Sequence, residues 1–385
     1  VSVWETHKRM RFEKIAAGGL EKCYSVSALY IDGTCKLLAA SETDGGGVVM
    51  DLDLTRPFPT PGGVMQMAEW PGSGGGFASI YGFFPPFLAA DSGLLLTNAR
   101  EDGSYASRTL FKLPYLHRFE VVKAGDQNWL VLGVLCRKKE GKDDWSSPGY
   151  VAVLPVREDG SLGEDFRAGG SGGGRSRTEQ SMEILLDGQF HNHGMWKGML
   201  DGRLTVMTAS DQGVYAFEPG AKIKDWKVRQ LLSESCGEAA AFDLDGDGED
   251  ELVTISPFHG ACLRVYKRGA DSSSGAESGS LPGMSPVGRN GPWHKIWQYS
   301  GELEFAHSLW AGLFQGRRMI ICGHRRGNGN LLAFWIKEGQ WQSVVVDSGA
   351  GSSNVCVTEI RGVSFLVSAN HGQNQYAVYK IAEDL

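Results

Sequence analysis

The chain has 385 residues and a net charge of −7, with 42% hydrophobic and 22% charged residues. This composition is ordinary for a folded protein, and the acidic balance argues against nucleic acid or an anionic membrane as a partner. No run of roughly 18 apolar residues predicts a membrane-spanning helix, and residues 1–11 lack the apolar core of a signal peptide, so we expect a cytoplasmic protein. The 53 glycines indicate many tight turns, which favours an all-β chain.

A pattern of strand, turn, strand, turn and strand recurs about every 45 residues, a period typical of propeller blades. Alternating apolar residues, with many β-branched and aromatic side chains, favour strands over helices in every copy. In chain order the seven copies cover residues 24–52, 77–113, 117–156, 193–217, 239–266, 307–335 and 355–381. A fourth strand is predicted before most copies, at residues 11–15, 64–69, 182–186, 226–231, 295–299 and 341–346.

Four antiparallel strands per copy predict a seven-bladed β-propeller over residues 1–385, with a β-sandwich as the less regular alternative. The repeat begins with a fourth strand, so we expect residues 11–15 to complete the last blade and close the ring. Residues 113–117 leave no room for a fourth strand, which predicts a short second blade. Residues 164–178 and 269–291 are rich in Gly and Ser and predict loop insertions, because the repeat continues across them.

The most distinctive motif is the stretch at residues 242–252, which reads FDLDGDGEDEL. Oxygen atoms at alternate positions suit Ca²⁺, a hard cation that binds many oxygen ligands. The predicted ligands are the carboxylates of Asp243, Asp245, Asp247 and Glu251 and the backbone carbonyl of Glu249. An EF-hand does not fit, because Thr254 stands where that motif needs its closing glutamate and the flanks are predicted strands. A solvated acidic turn is the alternative.

This motif resembles the calcium loop of FG-GAP (VCBS-type) propeller repeats, in which the loop joins the first and second strands of a blade. Here it falls at that place in the fifth predicted blade. Other blades keep only a turn glycine, as at Gly33, Gly202 and Gly316. The resemblance implies a structural calcium ion that stiffens one hairpin.

Propeller topology predicts which polar residues share a face. Each innermost strand begins on one face and each second strand ends on it, whereas the Asp-rich loop lies on the opposite face. Six of the nine histidines begin innermost strands or follow second strands, namely His117, His193, His307, His259, His324 and His371. The charged residues at similar second-strand ends are Glu42, Arg100, Arg137, Arg325 and Arg326. We therefore expect a histidine-rich site on this face near the propeller axis.

Clustered imidazoles suit either metal binding or acid–base catalysis near neutral pH. The candidate ligands for a divalent metal such as Zn²⁺, Mn²⁺ or Mg²⁺ are His117, His193, His259 and His307. The residues predicted to bind a carbohydrate-type substrate are Trp196, Trp310, Arg100, Arg137 and His371. Arginine holds anionic or carbonyl-bearing groups, and an indole stacks on a sugar ring. The alternatives are that each histidine only satisfies local hydrogen bonds and that both tryptophans pack between blades.

Residues 304–312, followed by the segment 322–325, are similar to the propeller part of aldos-2-ulose dehydratase-type lyases. Those enzymes eliminate water from keto-sugars and use a divalent metal in the propeller. The resemblance implies catalytic roles for His193, His307, His324 and Arg325. It predicts a metal-dependent lyase that acts on keto-sugars or oxidised glycosides by β-elimination. The alternative is a non-catalytic propeller that binds carbohydrate or another protein.

Overall fold

A computed structural model describes residues 10–31, 33–51, 54–163, 182–269 and 291–382. Within these ranges the strands form seven separate four-stranded antiparallel sheets, and the only helices are two 3₁₀ turns, Ile223–Asp225 and His371–Gln373. The predicted all-β, seven-bladed propeller is confirmed. The predicted insertions at 164–178 and 269–291 lie outside the described residues except at residues 269 and 291. No helix in the described ranges is long and apolar enough to cross a membrane, and the cytoplasmic location stays a prediction.

Each blade runs from an innermost strand outwards, and the first strand of the chain is β1 (Phe12–Gly19). Blade 1 contains β2 (Cys23–Ile31), β3 (Thr34–Ser41), β4 (Gly47–Met50) and β5 (Thr55–Phe58). Blade 2 contains β6 (Met67–Glu69), β7 (Phe77–Tyr81), β8 (Gly93–Ala99) and β9 (Tyr105–Lys112). Blade 3 contains β10 (Leu116–Ala124), β11 (Gln127–Val134), β12 (Gly149–Val156) and β13 (Glu183–Gln189).

Blade 4 contains β14 (Gly194–Leu200), β15 (Arg203–Ser210), β16 (Gly213–Glu218) and β17 (Lys227–Leu232). Blade 5 contains β18 (Glu238–Phe242), β19 (Glu251–Ser256), β20 (Cys262–Arg268) and β21 (Trp293–Gln298). Blade 6 contains β22 (Glu304–Phe314), β23 (Arg317–Arg326), β24 (Leu331–Lys337) and β25 (Gln340–Asp347). Blade 7 contains β26 (Ser352–Ile360), β27 (Val363–Asn370), β28 (Gln375–Ile381) and β1.

The ring closes as predicted, because β1 is the outermost strand of blade 7. It pairs antiparallel with β28 from Phe12 opposite Ile381 to Gly19 opposite Gln375. The last blade therefore combines strands from both ends of the repeat. This pairing leaves no blade with an unfilled outer position.

Blade 2 corrects the prediction, because it has four strands and is not short. The segment predicted as the fourth strand of blade 1, residues 64–69, contains β6, the innermost strand of blade 2. The fourth strand of blade 1 is instead β5, which includes Pro57. Because β6 pairs through only three residues, Met67 to Glu69, it leaves little periodicity in the sequence. Every later strand of this blade shifts by one place relative to the prediction.

The core lies between adjacent blades, and alternate residues of each middle strand pack into different interfaces. In β11, Leu130 and Leu132 pack with residues of blade 2, such as Ile80. The intervening Val131 packs towards blade 4, where it joins Val206. Side chains of a strand alternate between its two faces, so a strand covered on both sides becomes apolar at every position. This explains the continuous apolar runs in the sequence.

Candidate functional site

A cavity of about 300 Å³ lies near the axis, on the face where the innermost strands begin. The face is the one predicted from topology. The residues lining the cavity include five of the six predicted histidines, two arginines, a glutamate and an aromatic wall. They are Tyr24, Glu42, Met65, Phe83, Pro85, Pro86, Phe87, His117, His193, His259, Phe305, His307, Arg325, Arg326 and His371. Ligand sites in proteins commonly combine an apolar lining with a few convergent polar groups in this way.

Tyr24, His117 and His307 occupy the same position in their blades, a β-bulge near the start of the innermost strand. The pairing register with the second strand skips each of them. A bulge leaves its extra residue unpaired in the ladder and redirects the side chain, here into the cavity. His193 directly precedes β14, and its backbone N–H donates to the carbonyl of Ala209. Ala209 is also the residue that pairs with Gly194, the first residue of β14. The bulges therefore explain why these side chains converge.

His193, His259 and His307 form a triad in which one ring nitrogen of each lies within 4.8 Å of the other two. Their ring centroids are 4.9, 5.0 and 5.1 Å apart. Tetrahedral ligands about 2.1 Å from one ion lie roughly 3.4 Å apart, so metal binding requires each ring to move inward by at most roughly 1 Å. His117, the fourth predicted ligand, lies beside the triad, with its ring centroid 4.4 Å from that of His193.

In two of the three rings the Nδ1 atom has a hydrogen-bond partner on the side away from the cavity, so the Nε2 atom is the one that can bind an ion in the cavity. The Nδ1 of His307 lies 2.7 Å from the carbonyl oxygen of Ser353, and the Nδ1 of His193 lies 2.9 Å from Oε1 of Glu238. Metal-binding histidines use such carbonyl and carboxylate partners to fix the tautomer. The Nε2 of His259 is buried and has no hydrogen-bond partner among the described residues. A buried polar nitrogen without a partner is costly, and a metal ion would satisfy it.

Burial sets the protonation of these histidines. Desolvation lowers the pKa of His117, His259 and His307 well below the ordinary value. Desolvation also lowers the pKa of His193, and this effect outweighs the opposing hydrogen bond that the ring donates to Glu238. The four imidazoles are therefore neutral at physiological pH, which is the form that binds a metal or accepts a proton.

On the adjoining wall, Glu42, Arg325 and His371 form one ionic cluster. The Nη2 of Arg325 lies 3.2 Å from Oε1 of Glu42 and 2.8 Å from Nε2 of His371. The distance between Oε1 of Glu42 and Nε2 of His371 is 2.5 Å. Burial raises the pKa of Glu42, but the hydrogen bond from His371 and the charge of Arg325 outweigh it, so the pKa is lowered. Two residues predicted for the site, Arg325 and His371, thus line the cavity together with an ionised carboxylate.

Tyr24 connects this cluster to the histidine triad. Its hydroxyl lies 3.3 Å from Nε2 of His307, and the guanidinium of Arg325 lies 5.9 Å from the centre of its ring. Burial raises the pKa of Tyr24 to about 12, so the phenol keeps its proton at neutral pH. The arrangement places a proton donor next to the triad.

The aromatic rim contains backbone strain. Phe87, His191, His259 and Phe305 have left-handed φ values of 69°, 49°, 47° and 59°. Phe258 stacks on His259 at 3.8 Å between ring centroids, and Phe305 stacks on the same imidazole at 4.2 Å. A left-handed conformation costs a residue other than glycine about 1–3 kcal/mol, and such strain concentrates at functional sites. The stacked rings hold these residues in place and fix the position of His259.

His324, predicted to be catalytic, lies outside the cavity lining. It is fully buried in β23, where its Nδ1 is 3.3 Å from the backbone nitrogen of Glu304 and its Nε2 is 3.0 Å from that of Asn330. The neighbouring Arg325 lines the cavity instead. The position of His324 corresponds to the alternative of local hydrogen bonding and does not support a catalytic role.

Two predicted arginines also lie away from the cavity lining. Arg100 is in the hairpin between β8 and β9, the third and fourth strands of blade 2, so it is on the opposite face. The prediction was wrong because it assigned the strands of this blade one place too early. Arg137 is on the histidine-bearing face, but it pairs with Asp187 at 2.8 Å and lies 4.5 Å from the ring centre of Tyr150. These contacts place it on the outer rim.

Trp196 and Trp310, predicted to bind substrate, also lie outside the histidine cavity. Each indole covers the glycine two residues ahead, since a Cβ on Gly198 or Gly312 would come within 2.5 Å of it. Both tryptophans pack against the core between blades and line a cavity of about 890 Å³ that includes the end of the Asp-rich loop. The alternative of packing between blades therefore describes them better.

The Asp-rich loop joins β18 to β19 on the face opposite the histidine cavity, as predicted. The carboxylates of Asp243, Asp245 and Asp247 lie within 4.8 Å of one another. The ammonium group of Lys267 lies 2.6 Å from the carboxylate of Asp247 and 3.0 Å from that of Glu251. The oxygen set fits a hard cation, but that cation would have to displace Lys267.

Calcium binding therefore stays a prediction. The predicted use of the Glu249 carbonyl also stays a prediction, and its N–H donates to Asp247 at 2.9 Å.

Three residues of the site were not predicted from the sequence, namely Tyr24, Glu238 and Arg118. Arg118 is buried 3.5 Å from Glu238 and donates to the carbonyl of Met65. A signal for Tyr24 exists in the sequence, because it occupies the bulge position that His307 occupies in its blade. The role of Glu238 has no local signal, since it depends on contact between blade 4 and blade 5.

No protein-family model matches the chain, and no curated protein matches it in sequence. Among solved structures, it is similar to a soluble aldose sugar dehydrogenase from Escherichia coli at 12% identity and a TM-score of 0.49, covering 98% of this chain and 100% of that one. It is also similar to a putative 6-phosphogluconolactonase from Bacteroides uniformis at 13% identity and a TM-score of 0.49, covering 92% and 90%. These distant likenesses carry no argument about activity. The propeller assignment rests on the seven sheets of the chain itself.

Proposed function

We propose that the chain is a metal-dependent lyase that acts on keto-sugars or oxidised glycosides by β-elimination. The observation that carries the proposal is the convergence of His193, His259 and His307 on one cavity, with their ring nitrogens within 4.8 Å of one another. Two of the rings have partners that fix their tautomer, and the third has a buried Nε2 without a partner in the described ranges. This combination is typical of a three-histidine site with an open position for water or substrate.

The triad would hold the ion, so of the two roles predicted for His193 and His307, catalytic residue and metal ligand, the proposal keeps the second. A divalent ion held there would supply Lewis-acid polarisation of a carbonyl oxygen. Since these nitrogens bind the ion, the proton transfers fall to other residues. Arg325 and His371 would bind the oxygens of the sugar, because their side chains line the same cavity.

The proton transfers in the proposed elimination fall to His117 and Tyr24. The Nδ1 of His117 lies 3.2 Å from the carbonyl oxygen of His193, so this nitrogen carries the ring proton. The Nε2 of His117 then accepts the proton from the sugar carbon next to the keto group. The electron pair of the broken C–H bond forms the double bond, and the C–O bond breaks. Tyr24 protonates the leaving oxygen, which its high pKa allows because the phenol is protonated at neutral pH.

For the Asp-rich loop we propose a structural calcium ion, in line with the resemblance to FG-GAP (VCBS-type) repeats. Asp243, Asp245 and Asp247 lie close enough together to share one ion, and Glu251 is adjacent. The loop is on the face opposite the histidine cavity, so the ion would stabilise a hairpin and take no part in the reaction.

The test combines metal analysis with turnover. The purified protein is incubated with a keto-glycoside, and formation of an enone is followed by absorbance. We expect His259→Ala to lose both the bound transition metal and turnover, because it removes one ligand of three. His294→Ala, which removes an exposed histidine of β21, should keep both. Full activity without a transition metal would refute the proposal, and sugar binding without turnover would favour the carbohydrate-binding alternative.

A further inference from the structure

The charged groups that line the histidine cavity do not balance. Arg325 and Arg326 each carry a positive charge, and Glu42 is the only carboxylate among the described residues of the lining. Glu42 pairs with Arg325 at 3.2 Å, which leaves the guanidinium of Arg326 without a carboxylate partner among the lining residues. A metal ion would add further positive charge.

Both guanidinium groups lie close to one aromatic ring. The centre of the Phe305 ring lies 5.7 Å from the Cζ of Arg325 and 4.8 Å from that of Arg326. Phe305 itself stacks on His259 of the triad at 4.2 Å. Stacking on an aromatic face limits the motion of a guanidinium while its N–H edge stays available for a planar or tetrahedral anion. The positive groups therefore lie next to the proposed reaction site.

We propose that the ligand of this cavity is an anionic sugar, whose carboxylate or phosphate group is held by Arg325 and Arg326. This inference rests on the proposed function, for which it names the substrate class. It is carried by the excess positive charge and by the contact of both arginines with Phe305 beside the triad. A uronic acid and a sugar phosphate share the required chemistry, namely a sugar ring with a compact anionic group.

A uronic acid also suits the elimination chemically. The carboxylate stands next to the carbon that loses its proton, so the negative charge that develops there spreads onto a group held by arginine. One C–H and one C–O bond break, one C=C bond forms, and the leaving alcohol takes a proton. No oxidation or reduction takes place.

The experiment measures binding of three probes to the metal-loaded protein by calorimetry: glucuronate, glucose 6-phosphate and glucose. We expect at least one anion to bind about tenfold or more tightly than glucose, because a charge-assisted contact contributes about 1.5–3 kcal/mol. Its affinity should fall as salt is added. Comparing the two anions identifies whether carboxylate or phosphate is preferred.

One variant and one matched control test the role of Arg326. Arg326→Gln should weaken anion binding about tenfold and leave glucose binding unchanged. The matched control is Arg317→Gln, which removes an exposed arginine at the start of β23, and it should bind all three probes as the wild type does. Equal affinity for glucose and both anions, or an unchanged preference in Arg326→Gln, would overturn the inference.

Binding is measured independently of turnover, so the two proposals can fail separately. An anion preference without elimination of any substrate would refute the lyase and keep the ligand class. Elimination of neutral keto-sugars without an anion preference would keep the lyase and refute the ligand class.

Discussion

The substitution Glu238→Gln tests whether the histidine triad is built to bind a metal. Oε1 of Glu238 lies 2.9 Å from Nδ1 of His193, so the carboxylate accepts a charge-assisted hydrogen bond when the ring binds an ion. Glutamine keeps the shape and a neutral acceptor. Charged and neutral hydrogen bonds differ by about 1–1.5 kcal/mol, which corresponds to roughly tenfold in affinity. This agrees with the 10–100-fold (about 1.4–2.7 kcal/mol) losses that are typical when a partner of a metal ligand is changed.

The assay is competition for Zn²⁺ between the protein and a fluorescent chelator at pH 7, with the melting temperature of the metal-free protein as a folding check. Glutamine still offers an oxygen to Arg118, and that arginine keeps its 2.9 Å bond to the carbonyl of Met65, so the variant should fold. Glu234→Gln, which changes a carboxylate that pairs with Arg264 away from the cavity, is the matched control. A zinc affinity of Glu238→Gln within twofold of the wild type would refute the reasoning.

Three further predictions follow from the site and the Asp-rich loop. Tyr24→Phe should lower kcat by about 100-fold or more while KM and metal content change little, because it removes only the proton donor. Steady-state kinetics and elemental analysis measure these quantities, and an unchanged kcat would contradict the assignment. Lys267→Met should melt at a lower temperature than the wild type in EDTA, and its melting temperature should rise more when Ca²⁺ is added, since the ion no longer competes with an ammonium group. The control Lys295→Met should respond to Ca²⁺ as the wild type does. Equal responses of Lys267→Met and the wild type would count against the site. Glu42→Gln tests the ionic cluster by pH: the pKa of this carboxyl is lowered from 4.5, so its contribution to stability is present above that pH and is lost as the pH falls through the lower folded value. Urea unfolding should therefore show a difference from the wild type at pH 7 that shrinks as the pH falls below 4.5, and a constant difference would refute the ionised state.

The repeat in the sequence was sufficient to predict the propeller, because each blade keeps glycine turns between apolar strands. It failed at blade 2, where β6 is only three residues long and the apolar segment of β7 reads as an innermost strand. The same shift placed Arg100 on the wrong face. The sequence pattern thus predicted the number of blades better than the identity of each strand.

The site was predictable to the level of a face. Knowing where innermost strands begin and second strands end was enough to bring His193, His259 and His307 together. The direction of a side chain within its strand was not predictable in this way, which is why His324 and Arg325 separate. Tyr24 was missed although it occupies the same bulge position as His307, because a tyrosine at this position does not indicate metal or acid–base chemistry as a histidine does.

The pairing of β1 with β28 also has a consequence for how the chain folds. Phe12 finds its partner Ile381 only after every blade has been synthesised, so β1 stays unpaired until then. Contacts between residues so distant in sequence form slowly, because a long loop must close before they contribute. An open edge strand during that interval can pair with another chain. We therefore expect the yield of folded protein, more than its final stability, to depend on the strength of this one strand pair.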